Sequence, residues 1–376
     1  MMINFNNAGA STLDKEILSK MFSYFNLERN VGGYEAYEKK KKVINKFYEN
    51  LAKLLNCLPS EISFFSSATL AWNQIFSSIV FDKNDNIIIF DNEYSSNYIS
   101  MLKKRPSFNQ IKIVNINKEG IVNFEQLDNI IDSKTKLLHV NHIASQCGNE
   151  TPIMKIGELL KKKNPAAIYF VDACQSVGQT EIDVNKTNCD ILTASGRKYL
   201  MGPRGTGFSY IKKSVRNILV PSIEDMTSTD IKKDFLILKK KSNFLETFEH
   251  SPALKLALSM SIKKILKIGV KKINRKIINL SRYLRSELRK NNKIIFFEND
   301  DYLSGINTID FLGVENEKVY NFLKKKKINT FLSNKNMSYL YFRKLRKKNV
   351  LRISFNYYNT RKEVDMFVDI INKYVK

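Results

Sequence analysis

The sequence predicts an α/β fold, with a large domain built on a mainly parallel central sheet over residues 15–250 and a smaller C-terminal α/β domain over residues 251–376. Three observations predict it. Short apolar runs alternate with helix-like segments through the first two-thirds of the chain. The runs are continuous in Val, Ile and Leu, as in strands buried on both faces by crossover helices. The pattern then changes at Ser251-Pro252, an N-cap residue followed by proline at a first helical position.

Residues 1–14 carry no strong periodicity and are expected to pack near the functional site. Val43–Asn56 reads as a helix that ends before Pro59. Strands are expected at Asn86–Phe90, Ile111–Ile116, Leu137–Asn141, Ala167–Ala173, Asp190–Ala194 and Gly205–Ile211. Helices are expected at Thr69–Phe81, Ser96–Lys104, Phe124–Ile131 and Ile153–Lys163. Beyond Ser251, Leu254, Leu258, Ile262 and Ile265 recur at helical spacing with lysines opposite. A basic helix over Ile273–Lys290 follows. Three strands, Ile306–Leu312, Ile328–Leu332 and Val350–Phe355, and a closing helix over Arg361–Tyr374 complete the small domain.

Composition narrows the function classes. Of 376 residues 43% are hydrophobic, and only 14 Gly and 7 Pro occur, which argues for a packed core and against disorder. No apolar run is long enough to span a bilayer, and the first residues lack signal-peptide regions. The four cysteines, 57, 147, 174 and 189, show neither metal-pair spacing nor a disulfide framework, so a reduced, cytoplasmic protein is expected and no metal site. The net charge of +25 admits nucleic acid as a partner. The lysines are spread along helices and no reader motif is present, so a basic nucleic-acid-binding protein stays the non-enzyme alternative.

Chemistry concentrates in a few segments. Ser195-Gly196-Arg197-Lys198 ends an apolar run before the glycine-rich turn Gly202-Pro203-Arg204-Gly205-Thr206-Gly207. A lysine held there, dehydrated and beside Arg197, suits amine nucleophile and Schiff-base work. Asp172 closes the run Tyr169–Val171, where a buried carboxylate needs a partner. A protonated ring nitrogen is one partner, and a helix cap or a metal are others. Gln175 lies within reach of the same ring. Thr69 follows Ser66 and Ser67 at a helix start, which reads as a phosphate cradle or an ordinary cap. Tyr94 offers a flat face to a planar ring. Arg352 sits among apolar residues and calls for a substrate carboxylate or a structural ion pair.

In order and spacing these segments resemble the class V aminotransferase family of pyridoxal-phosphate enzymes over nearly the whole chain. The resemblance implies a fold-type I, pyridoxal 5'-phosphate-dependent enzyme acting on an α-amino acid, with the site at a homodimer interface. Carried over residue by residue, it gives Lys198 the cofactor Schiff base and proton transfer, and Asp172 the pyridine nitrogen. Gln175 takes the ring hydroxyl and Tyr94 stacks on the ring, where many relatives use His. Thr69, Ser195 and Arg197 hold the phosphate, and Ser251 reaches the phosphate of the partner subunit. Arg352 takes the substrate carboxylate, with His142, in the polar turn after Asn141, a second substrate-side candidate.

Two departures narrow the reaction. Arg197 stands where many relatives have His, and the GRKxLxGPRGTG form resembles the hercynylcysteine sulfoxide lyase and isopenicillin-N epimerase-like branch. A desulfurase of this family needs a mobile nucleophilic cysteine before the late arginine, and residues 328–352 contain none. The expected reaction is a carbon–sulfur β-lyase on an S-substituted cysteine or its sulfoxide, ahead of an aminotransferase and then an amino-acid epimerase.

Overall fold

The computed structural model describes residues 2–117, 120–239 and 243–375. Its centre is a seven-stranded sheet in the order Ile62–Phe65, Gly207–Ile211, Ile191–Ser195, Ile168–Asp172, Thr135–Asn141, Asn86–Phe90 and Gln110–Val114. Gly207–Ile211 runs antiparallel to both its neighbours, and the remaining pairs are parallel. Parallel pairing requires crossovers, and Ser95–Lys104, Phe124–Ile130 and Ile153–Lys163 supply helices for them.

The continuous apolar runs are explained by two-sided burial. In Asn86–Phe90, Ile88 and Phe90 join one core, with Val140, Val171 and Leu192, whereas Ile87 and Ile89 join the other, with Trp72, Ile75 and Phe170. Each strand thus supplies apolar residues to both faces in alternation. The expected strands appear with ends shifted by a residue or two, except that Ile328–Leu332 is divided at Thr330 into Ile328–Asn329 and Phe331–Asn334, which belong to different sheets. Two helices at the start, Lys15–Val31 and Gly33–Ile44, go beyond the elements expected from the sequence; few of their residues are buried, and in the second a run of four lysines dilutes the apolar stripe.

The C-terminal region carries a four-stranded antiparallel sheet in the order Ile294–Phe296, Ile306–Phe311, Asn349–Ser354 and Phe331–Asn334. Packing is not divided where the sequence pattern changes at Ser251. Leu258, Ile262 and Ile265 of helix Pro252–Ile268 pack into the same core as Phe47 and Leu51. Conversely Phe5, from the start of the chain, packs with Ile309, Leu351, Ile353 and Phe367. The short strand Ile3–Asn4 pairs in parallel with Ile328–Asn329, which ties the first residues to the C-terminal region. No described helix is long and apolar enough to cross a membrane.

Candidate active site

The carboxyl ends of the parallel strands converge on one cavity of about 210 Å³. Open α/β sheets place ligands at that edge, where loops leave strands and helix N-termini point inward. Lys198 follows Ile191–Ser195, Asp172 ends Ile168–Asp172, and Tyr94 follows Asn86–Phe90. Thr69 lies in the first turn of helix Ala68–Ser78. These four line the cavity together with Gln175, Ser195 and Arg197.

Lys198 opens onto the cavity yet is surrounded by protein. Burial holds its amine below the ordinary lysine range; Cys174 and Asp172 oppose that shift, and Arg197 and Arg352 add to it. Among the described residues its Nζ makes no hydrogen bond. The Lys198 turn is tight: Met201 N–H donates to the Lys198 carbonyl at 2.9 Å, with Met201 at a φ of +59°. Asp172 is 7% exposed and accepts from Cys174 N–H on Oδ1 at 2.9 Å and from Asn97 Nδ2 on Oδ2 at 3.1 Å. Gln175 donates from Nε2 to the Ala8 carbonyl at 3.0 Å, while its Oε1 is buried without a partner.

At the other end of the cavity the helix start at Ala68 meets strand Gly207–Ile211. A Cβ at Gly207 would lie 2.3 Å from the Ser67 carbonyl carbon, so glycine alone admits this approach. Ser67 caps the helix, accepting from Leu70 N–H at 3.1 Å. Arg197 donates to Ser195 Oγ at 2.7 Å, and Arg204 and Thr206 complete this end. Unpaired helix N–H groups, hydroxyls and two guanidinium groups make an anion cradle.

Arg352 does not line this cavity. It is 3% exposed behind it, donating to the Ser145 carbonyl at 2.8 Å and to Asn6 Oδ1 at 3.0 Å. Its Nε is buried without a partner, and desolvation pushes its pKa down to about 10. Among the described residues no carboxylate pairs with it, so the structural ion pair is not formed.

His142 is not among the residues that line the cavity. Asn141 ends the strand Thr135–Asn141, pairs in register with Asp172 and lines the cavity, whereas His142 lies one residue past the strand. It is 2% exposed, its Nε2 lying 3.3 Å from Glu150 Oε1 and its Nδ1 buried without a partner. Ser251 is also outside this chain's own cavity and caps helix Pro252–Ile268, accepting from Leu254 N–H at 3.4 Å.

Sequence reasoning missed Asn141, Asn97 and Gln146, which line the cavity, and Asn6, which orients Arg352. Asn141 and Gln146 lie within the polar stretch after the strand, and that stretch was their only signal.

This chemistry fits a phosphorylated planar ring bearing an aldehyde. An anion cradle lies at one end, a buried carboxylate and an orphaned amide oxygen lie along the cavity, and an unbonded, desolvated amine stands ready for the carbonyl. The family model for Aminotransferase class-V matches residues 3–367. The chain belongs to the class V aminotransferase family. This class V protein is a pyridoxal-phosphate-dependent enzyme with the fold-type I architecture of its relatives.

Its relatives include a probable cysteine desulfurase of Borreliella burgdorferi, 28% identical over 100% of this chain and 92% of that protein. Another, from Methanothermobacter thermautotrophicus, is 23% identical over 95% of this chain and 90% of that protein. Among solved structures, a cysteine desulfurase of Thermococcus onnurineus superposes with a TM-score of 0.93 at 22% identity, over 100% of this chain and 94% of that one. A cystine C–S lyase in complex with cysteine persulfide superposes at 0.88 with 16% identity, over 98% and 97% of the two chains.

Proposed function

We propose that this class V enzyme is a carbon–sulfur β-lyase acting on an S-substituted cysteine or its sulfoxide, and that it passes no sulfur to a cysteine of its own. The observation that carries the second half is the segment before Arg352. Residues 328–352 hold no cysteine, and the stretch 335–339 is not a free loop. Ser95 N–H donates to the Met337 carbonyl at 3.0 Å, Ser338 Oγ to the Glu93 carbonyl at 2.7 Å, and Tyr339 N–H to Ser95 Oγ at 3.0 Å. A persulfide relay needs both a thiol and freedom to swing, and this segment has neither.

In this reading Thr69, Ser195 and Arg197 hold the cofactor phosphate, with the helix N–H groups beside them. Asp172 keeps the ring nitrogen protonated, Gln175 meets the ring hydroxyl, and Tyr94 covers one ring face. Arg352, behind the cavity but within electrostatic reach of Lys198, would exchange its Ser145 and Asn6 acceptors for the substrate α-carboxylate. The Lys198 amine, held below its ordinary pKa, removes the α-proton and returns a proton after the sulfur substituent leaves. Bound pyridoxal phosphate supplies the electron sink for the pair left at the α-carbon.

The same reading makes the enzyme a homodimer. Ile231, Phe235 and Leu236, on the hairpin of Thr229–Lys232 and Phe235–Leu238, are 68–77% exposed, an apolar patch that a second copy would cover. Ser251 would then reach the partner's phosphate site.

The deciding experiment gives cofactor-loaded enzyme a panel of amino acids, S-substituted cysteines and their sulfoxides, with no keto-acid acceptor. A lyase yields keto acid and ammonia over many turnovers. An aminotransferase stops after one turnover with the cofactor aminated, and that outcome overturns the proposal.

A further inference from the structure

Beneath the cavity lies a chain of buried polar contacts that no role above uses. Glu93 and His139 are both fully buried. Trp72 Nε1 donates to His139 Nε2 at 2.9 Å, and His139 Nδ1 lies 2.6 Å from Glu93 Oε2. An indole nitrogen only donates, so Nε2 of the imidazole is the acceptor and its proton sits on Nδ1, directed at Glu93. The other oxygen, Glu93 Oε1, accepts from three N–H groups: Tyr94 N at 2.8 Å, Asn97 Nδ2 at 3.1 Å and Asn141 Nδ2 at 3.1 Å. Every contact of this carboxylate is an incoming donor, and no lysine or arginine pairs with it among the described residues.

Asn97 makes the connection to the cavity. Its single NH2 group donates one hydrogen to Glu93 Oε1 and the other to Asp172 Oδ2, each at 3.1 Å. Glu93 also receives the backbone N–H of Tyr94, while its own carbonyl accepts Ser338 Oγ.

We propose that Glu93 is a positioning residue which, through Asn97, aims and steadies Asp172 beneath the cofactor ring nitrogen, with His139 and Trp72 fixing the orientation of Glu93. The inference rests on the reading of Asp172 as the partner of that nitrogen. A glutamine at position 93 cannot replace it: in one orientation its NH2 faces three N–H donors, and in the other it faces the His139 Nδ1 proton. The first orientation takes the acceptor from Asn97 and the second breaks the His139 contact that holds the side chain in place, so in either case Asp172 loses a fixed donor.

The test is a double-mutant cycle read on cofactor affinity by equilibrium dialysis, with melting of the cofactor-free protein as a stability control. Glu93→Gln is expected to weaken affinity about 10-fold when Asp172 is present and less than about 2-fold in the Asp172→Asn background, because coupled residues are non-additive. Asn97→Ser, which keeps both carboxylates, is expected to reproduce the loss and stands in if Glu93→Gln does not fold. Equal weakening in both backgrounds means a merely structural Glu93 and overturns the proposal while leaving Asp172 in its role. If Asp172→Asn alone leaves affinity unchanged, the reading of Asp172 falls, and that of Glu93 with it.

Discussion

Arg352 and Asn6 meet across almost the whole length of the chain, with Nη2 donating to Oδ1 at 3.0 Å. The contact exists because the first residues are sewn into the C-terminal region. Ile3 pairs with Ile328, and Asn7 Nδ2 donates to the Ser354 carbonyl at 2.7 Å. A buried guanidinium is thereby oriented by neutral acceptors alone, and among the described residues no carboxylate balances its charge.

Arg352→Leu is therefore expected to lower kcat/KM toward α-amino acids about 100-fold, the loss of a charged bidentate contact worth about 3 kcal/mol. Steady-state kinetics check it, with an amine lacking the carboxylate as control. Asn6→Ala should raise KM by a smaller factor and leave kcat nearly unchanged.

The lowered pKa of Lys198 has a sign that can be tested. An amine held below the ordinary lysine value is unprotonated, and so nucleophilic, at a pH where exposed lysines are still charged. Borohydride trapping of added cofactor on the cofactor-free enzyme should label Lys198 at a lower pH than other lysines, and Lys198→Ala should abolish that label. Desolvation is the larger cause and Arg197 a lesser one, so Arg197→Leu should move the labelling profile modestly upward in pH. An unchanged label in Lys198→Ala would remove the lysine from its role.

Gly207→Ala places a methyl 2.3–2.4 Å from the Ser67 and Ala68 backbone. The expected cost is about 1–3 kcal/mol in denaturant melts, as for other overpacked sites, with weaker cofactor binding because the cradle opens. Gly33→Ala, where a Cβ meets nothing within 4 Å, is the control and should be close to neutral.

Asp132 sets part of the acid stability. Burial raises its pKa, but hydrogen bonds from Lys112 at 2.7 Å, Asn86 at 3.0 Å and Thr135 at 3.1 Å outweigh it and hold the carboxyl down at about 2. A folded-state value below the unfolded value of 3.8 stabilises the folded state above about pH 4. That contribution is lost as pH falls from about 4 to about 2. Asp132→Asn should thus melt below the parent at pH 6, and the gap should narrow towards pH 2.

Much of the site was legible because its chemistry is local. Lys198 with its glycine-rich turn, Asp172 with Gln175, and the Ser67–Thr69 helix start each lie in one short segment whose residue types state their own need. Nothing in the sequence separates His142 from its neighbour Asn141. Two polar residues stand together where the strand Thr135–Asn141 ends, and only Asn141, which pairs in register with Asp172, lines the cavity. Glu93 was passed over because nothing local separates it from any loop carboxylate. Its meaning comes from His139 and Trp72, brought to it by two other elements.

The sequence by itself determined the parallel α/β sheet, the family and the segments that line the cavity, since two-sided burial and a glycine-rich turn leave their marks within a few residues. Only the tertiary structure decided that Asn141 and not His142 enters the cavity. It alone showed that Asn6 orients Arg352 and that the stretch before Arg352 is pinned to Ser95. Those facts depend on strand register and on contacts between residues hundreds of positions apart, and the order of residues along a chain does not record either.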